Sequence, residues 1–256
     1  MKQNILFVSD LDNTLLFSYK HKQDSDICVE YLNDKEQGFF TPKSIELLKN
    51  VNRSVTFIPV TSRSIAQYRR IQFPESTIPQ YAITTNGAIL LVNNEIDAKW
   101  YEASRQAVEP WRNELQHIAE ILSTMPTAKH FRMVDDMYLF TACDNPEDAK
   151  SVASEIIEKT QLDVTIAGRK VYFCPPFINK GQALRRLKDI FSPEYTISAG
   201  DTTMDIPMLA IADFPIIPDC NLGTDIASIN KAIWDRTERF PEYVLQQVEL
   251  FLQNCR

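Results

Sequence analysis

The chain has 256 residues, enough for one or two domains and for a core that needs no disulfide or metal staple. Its 27 basic and 34 acidic residues give a net charge of −7, and 44% of residues are hydrophobic, so nothing overall attracts it to nucleic acid or an anionic membrane. Six scattered glycines exclude a Gly-x-Gly dinucleotide loop, a Walker phosphate loop and a Gly-x-Ser-x-Gly elbow, and no His-x-x-x-His or Cys-x-x-Cys occurs, which leaves any metal to oxygen ligands.

Ile5-Leu6-Phe7-Val8 is an apolar run ending in Ser9-Asp10, as expected of a buried parallel strand that reaches its ligand edge. The run is too short for a signal peptide, and no later stretch reaches membrane-spanning length. With five scattered cysteines (Cys28, Cys143, Cys174, Cys220, Cys255) this predicts a soluble cytoplasmic protein with free thiols. Residues 27–32 and 37–40, joined through Asn33-Asp34-Lys35-Glu36, read as a small hairpin. Thr41-Pro42 opens a helix striped by Ile45, Leu47, Leu48 and Val51. A strand at 55–60, a helix at 65–71 and a strand at 81–84 complete an alternation that predicts a doubly wound parallel α/β sheet.

After Asn86-Gly87 the texture changes to a strand at 88–92, a helix at 106–123, a strand at 137–142, a helix at 146–159 and a strand pair at 162–166 and 171–173. Residues 87–174 therefore read as an inserted α+β unit, with 1–86 and 175–256 forming one core and Pro175-Pro176 the return. Alternation resumes with a helix at 180–190, a strand at 195–199, a helix at 204–211, a strand at 214–217 and a closing helix at 241–252. Trp100, Trp111 and Trp234 are read as core or interface residues.

Chemistry collects at the strand ends. Asp10 and Asp12 are two apart, a spacing that turns two carboxylates to one side of an extended chain. Asp24-Ser25-Asp26 has the same spelling with no apolar strand before it and is expected in solvent. Thr61, Ser62 and Arg63 follow the second strand, where hydroxyls suit phosphate oxygens or, equally, a helix cap at Ser62 or Ser64. Lys180 opens a helix and, taken alone, reads as well as a snorkelling surface lysine. Asp201 and Asp205 follow a third strand, either as ligands or as partners of a helix dipole. Together the acids, hydroxyls and lysine form a charge-balanced site for a phosphate and a hard cation.

In that order, Asp10-x-Asp12-x-Thr14, Thr61, Lys180 and Gly200-Asp201-x-x-x-Asp205 resemble the motifs of haloacid dehalogenase superfamily phosphatases. The insert's position resembles the type 2 cap of the Cof-like and sucrose-phosphate-phosphatase-like branch. The resemblance implies that Asp10 is a nucleophile taking the phosphoryl group as an aspartyl phosphate, and that Asp12 is the acid and base. Thr61, Ser62 and Lys180 would hold phosphoryl oxygens. Mg2+ would be held by Asp10, Asp201, the Asp12 carbonyl and Asp205, the last as ligand or orienter. Arg63 and Asn86 are candidate substrate contacts, and Arg132, His130, Arg169 and Lys170 fall in the cap, where they either meet a polar leaving group or are simply solvated. The branch often carries Asn before the final Asp, where this chain has Met204. The expected partner is a small phosphorylated metabolite such as a sugar phosphate, with no nucleic acid or membrane, in a monomer or homodimer. A phosphomannomutase-like phosphotransferase and a binding module with weak turnover are the alternatives.

Overall fold

In the first strand of the structure, a computed structural model that describes residues 4–226, 228 and 230–254, alternation already sets the architecture. In β1 (Ile5–Ser9) Ile5 and Phe7 pack to one side and Leu6 and Val8 to the other, all four buried. A strand apolar on both faces requires cover on both.

The chain passes through β2 (Phe17–Ser18) into a hairpin of β3 (Ile27–Leu32) and β4 (Lys35–Phe40). The turn is Asn33-Asp34 alone, at φ 51° and 60°, rather than the four residues expected, because two left-handed residues in succession give the reversal whose twist suits the strands. A register shift at Glu30 interrupts the pairing of β3 with β4. Thr41 then caps α1 (Pro42–Ser54), accepting from the Ser44 amide at 2.8 Å. After β5 (Thr56–Pro59), α2 (Ile65–Tyr68) is a single turn, shorter than expected, started by a capping box of Ser64 and Gln67.

The strand expected to open the insert belongs elsewhere. β6 (Tyr81–Thr84), β7 (Ile89–Val92) and β8 (Glu95–Ile96) form an antiparallel sheet, with Tyr81 opposite Val92 and Thr84 opposite Ile89. Thr85-Asn86-Gly87, at φ 56°, 55° and 105°, is therefore the turn of a β6–β7 hairpin. α3 (Ala98–Val108) starts at the Asp97 cap, well before the helix expected at 106–123, and ends before Pro110, which cannot donate to the helix ladder. It buries Trp100 in the core cluster of β1, under the guanidinium of Arg186 at 3.6 Å.

α4 (Arg112–Thr124) leads into the second sheet: β9 (Arg132–Val134), β10 (Tyr138–Ala142), α5 (Pro146–Ile157), β11 (Asp163–Ala167) and β12 (Lys170–Cys174). Its order is β11-β12-β10-β9, antiparallel throughout. Leu139, Val171 and Phe173 occupy one buried face with α4 and α5 beside it; Arg132, Phe140, Lys170 and Tyr172 occupy the other.

The chain returns through α6 (Lys180–Phe191), β13 (Tyr195–Ala199), α7 (Ile206–Leu209), β14 (Phe214–Ile217), β15 (Ala232–Ile233) and α8 (Phe240–Asn254). The helix expected at 204–211 is a tight turn at Thr203–Asp205 followed by α7. The main sheet is parallel, in the order β15-β14-β13-β1-β5, and β6 lies beside β5 through the Val60–Ile83 bridge. Phe7 packs with Leu48 and Val51 of α1 and with Val244, Leu245 and Val248 of α8. Leu6 and Val8 pack with α6 and with Trp100. Among the described residues no helix is long and apolar enough to cross a membrane. Cys28, Cys143, Cys174 and Cys220 are free, and Cys255 lies outside the described residues.

Asp26 is not in solvent. Its side chain is 1% exposed and accepts from Arg239 Nη1 at 2.7 and 2.8 Å, while Arg239 stacks on Phe17 and donates to the His21 carbonyl. Asp26→Ala leaves that guanidinium unanswered and should cost about 3 kcal/mol in denaturant unfolding; a loss below about 0.5 kcal/mol would show that the pair is not structural.

Candidate active site

Three parallel strand ends meet at one point. β1 ends in Asp10, whose amide donates to the Ala199 carbonyl at the end of β13, and the Val60 amide at the end of β5 donates to the Ser9 carbonyl. Behind Asp10, residues 11–16 close on themselves through three amides that donate to the Leu11 carbonyl, with Asn13 at φ 62°. Thr14 Oγ1 donates from this loop to Asp201 at 3.3 Å.

Lys180 is buried between the strand ends and donates to Asp10 Oδ1 and Asp205 Oδ1, both at 2.5 Å. It is no surface lysine. Burial alone would make the ammonium easier to deprotonate, but the charges of Asp10 and Asp205 outweigh it and hold the proton on. Asn179 caps its helix, accepting from the Gln182 amide at 2.9 Å. The other oxygen of Asp205 accepts from the amides of Asp201 and Thr202 and from the Thr202 hydroxyl. Both oxygens of Asp205 are thus engaged, and it orients Lys180 and the Asp201 loop. Thr202 supplies a hydroxyl to the final Asp, so Met204 does not leave that carboxylate loose. A Cβ on Gly200 would stand 2.4 Å from Asp205 Cβ, so only glycine lets the loop close this tightly.

Asp10, Asp201 and Asp205 each place one oxygen within 4.8 Å of the others. Three carboxylates there face one ammonium. Burial first, then the neighbouring acids, push the Asp10 carboxyl well above its ordinary range despite Lys180. Burial and Asp205 raise Asp201 to about 7. Hard oxygen donors with excess negative charge are the chemistry a divalent cation requires, so the cluster fits one.

Asp12 does not share Lys180 with Asp10. Its carboxylate accepts from Arg63 Nε at 2.8 Å and Nη2 at 2.7 Å. Partial desolvation beside Arg63 works against ionisation of this half-exposed carboxylate, but these hydrogen bonds and the Arg63 charge bring it below its ordinary value. Arg63 also pairs with Glu30, which in turn holds Arg70. Neither Glu30 nor Arg70 was anticipated; the one signal was an acid on a hairpin strand at a position turned inward. Asp12, Ser62, Arg63, Arg70, Tyr138 and Tyr172 are among the residues lining a cavity of about 340 Å3, walled by the β2–β4 hairpin region and the second sheet. The second sheet meets the loops after β5 and β6 through Tyr138, whose hydroxyl donates to the Ser62 carbonyl at 2.7 Å, and through Asp135, which accepts from Thr85 Oγ1 and the Ile65 amide.

Thr61 is fully buried at the end of β5, its hydroxyl accepting from the Arg63 amide at 3.1 Å. Ser64, not Ser62, caps the following turn. Asn86, expected at the substrate, lines a different cavity and donates to the Ile178 carbonyl at 3.1 Å, because its left-handed turn directs it to the segment between β12 and α6. Arg132 and Lys170 line the Asp12 cavity; His130 and Arg169 do not.

A parallel sheet with two acidic strand ends, a buried lysine and a separate antiparallel sheet between β8 and α6 define a haloacid dehalogenase superfamily phosphatase fold. The chain belongs to the sucrose-6F-phosphate phosphohydrolase family, a family of phosphoric monoester hydrolases in that superfamily, whose model matches residues 3–221. It is 36% identical over 83 residues to a glucosyl-3-phosphoglycerate/mannosyl-3-phosphoglycerate phosphatase of Persephonella marina, a match covering 29% of this chain and 31% of the relative. The sucrose-phosphatase of Synechocystis sp. PCC6803, solved with sucrose and phosphate, shares the fold at a TM-score of 0.67 and 17% identity over 98% of each chain. A haloalkanoate superfamily phosphatase of Bacteroides thetaiotaomicron does so at 0.58 and 14%, over 98% of this chain and 96% of the other.

Two outcomes follow from the cluster. Because burial and Asp205 raise the Asp201 carboxyl to about 7, affinity for a divalent cation should fall by up to about tenfold per unit as pH drops below that value; titration calorimetry with Mg2+ as the probe cation at pH 8, 7 and 6 would show it, and a flat response would refute it. Gly200→Ala should lower stability by about 2 kcal/mol as Asp205 is displaced, a loss that thermal melts would record and that Thr14→Ser should not reproduce.

Proposed function

We propose that this chain is a Mg2+-dependent phosphohydrolase that acts on a small phosphorylated metabolite, a sugar phosphate, through an aspartyl phosphate on Asp10. The buried bridge from Lys180 to Asp10 and Asp205 carries this reading. Phosphoryl transfer asks chiefly for positioning and charge neutralisation, and a buried lysine against a nucleophilic carboxylate provides both. Mg2+, held by Asp10, Asp201 and the Asp12 carbonyl, would supply the positive charge that Lys180 alone does not.

An Asp10 oxygen attacks phosphorus, the ester P–O bond breaks, and the leaving oxygen takes a proton. Lys180 and Thr61 hold phosphoryl oxygens during this step, with Ser62 at the cavity wall. Asp12 gives that proton in this reading, but only after it leaves Arg63, which keeps it ionised in this arrangement. Ionised, it suits the second step: it takes a proton from water, the water oxygen bonds to phosphorus, and the bond to Asp10 breaks to release phosphate. The cavity under the cap suits a small leaving group, and relatives named for sucrose phosphate and trehalose-6-phosphate support a sugar phosphate.

Asp10→Asn should reduce phosphate release from p-nitrophenyl phosphate and a panel of sugar phosphates by at least about 1,000-fold while circular dichroism stays unchanged. Wild type quenched in acid should carry phosphate that the variant lacks. Turnover by Asp10→Asn within tenfold of wild type would remove Asp10 from the nucleophile's role.

A further inference from the structure

The cavity above Asp12 carries more positive charge than its own acids answer. Asp12 is paired with Arg63, and Glu30 with Arg63 and Arg70. Two further cations line the same cavity, Arg132 and Lys170; among the described residues neither is in ion-pair contact with a carboxylate, and the Lys170 charge acts on Asp12 only from a distance, adding to the pull of Arg63.

Sheet register puts the two on one face of the second sheet, on the strands either side of β10. Arg132 stands opposite Phe140, and Lys170 stands opposite Ala142, the next residue on that face of β10. Their charges lie at 5.6 and 5.9 Å from the centre of the Phe140 ring. An aromatic face holds a cation without neutralising it, so both charges stay available to a ligand. Surface cations usually point into bulk water; these belong to a concave wall that also includes Asp12 and Arg63.

Resting on the phosphatase reading, we infer that Arg132 and Lys170 form a subsite for a second anionic group on the leaving portion of the substrate, a carboxylate or a second phosphate. The phosphoryl group being transferred is not the anion they serve. It belongs beside Asp10 and Lys180 on the core, whereas both cations ride on cap strands on the leaving-group side of Asp12. The subsite therefore selects a doubly charged ester over a neutral sugar phosphate.

Matched esters test this. 3-Phosphoglycerate and glycerol 3-phosphate differ by a carboxylate in place of a hydroxymethyl group; glucose 1,6-bisphosphate and glucose 6-phosphate differ by a second phosphate. Wild type should show a kcat/KM at least about tenfold higher for the charged member of one pair, the gain expected of a charge-assisted contact, and the pair concerned tells carboxylate from phosphate. In an Arg132→Gln, Lys170→Gln double variant, which changes only exposed strand positions, that ratio should fall to about 1, mainly through KM. A wild-type ratio near 1 in both pairs overturns the inference, as does a ratio that survives in the double variant or an equal fall for both members, which would mean general attraction of phosphate. Absence of hydrolysis of every ester, p-nitrophenyl phosphate included, in the presence of Mg2+ overturns the phosphatase reading and the subsite with it.

Discussion

The fold is organised around one buried ammonium. Lys180 stands at the first position of a helix, where the backbone dipole opposes a positive charge, and it is removed from water. Two carboxylates at 2.5 Å reverse both penalties. That requirement ties β1, α6 and the loop after β13 to a common point. The close approach of Gly181 to the Pro207 backbone, where a Cβ would come within 2.5 Å of the carbonyl oxygen, fixes the same helix from the other side. Remove either carboxylate and the lysine is left with half its compensation in a place water does not reach.

Asp10 and Asp12 show how far partners outweigh spacing. Two residues apart, they were expected to share one site in one role each. Asp10 sits with other acids and a lysine in a dry pocket and holds its proton above the ordinary range, while Asp12 takes a bidentate arginine and loses its proton more readily. The difference comes from Arg63 on the neighbouring strand end, itself steadied by Glu30 from the hairpin. The β3–β4 hairpin is thus part of the electrostatic setting of the site and not decoration on the core.

Much of this was legible in the chain. Apolar runs ending in acids or hydroxyls marked β1, β5 and β13, and their ends carry Asp10, Thr61 and Asp201. The strand order and Lys180's neighbours were not legible, since both depend on contacts between residues far apart. The partner of the strand after Asn86-Gly87 was not legible for a physical reason: a turn dipeptide marks a reversal but not which strand the next one joins, and here β7 folds back on β6. Asp26 misled because only the distant Arg239 makes its burial tolerable. Glu30, Arg70, Tyr138 and Asp135 have no motif; they matter through where the hairpin and the cap come to rest.

The span between Lys180 and Asp10 is 170 residues, and β1's partner β13 lies farther still, with Ile5 paired to Tyr195 and Ser9 to Ala199. At about 5–20 residues per second of synthesis, Ile5 to Ser9 wait roughly 10–40 s for the strand that completes one of their edges. Throughout that interval a segment apolar on both faces is without its final neighbour. The ribosome-bound chain therefore passes through a long period in which its central strand invites wrong pairing, and the cap, made of nearer contacts, can close on itself first.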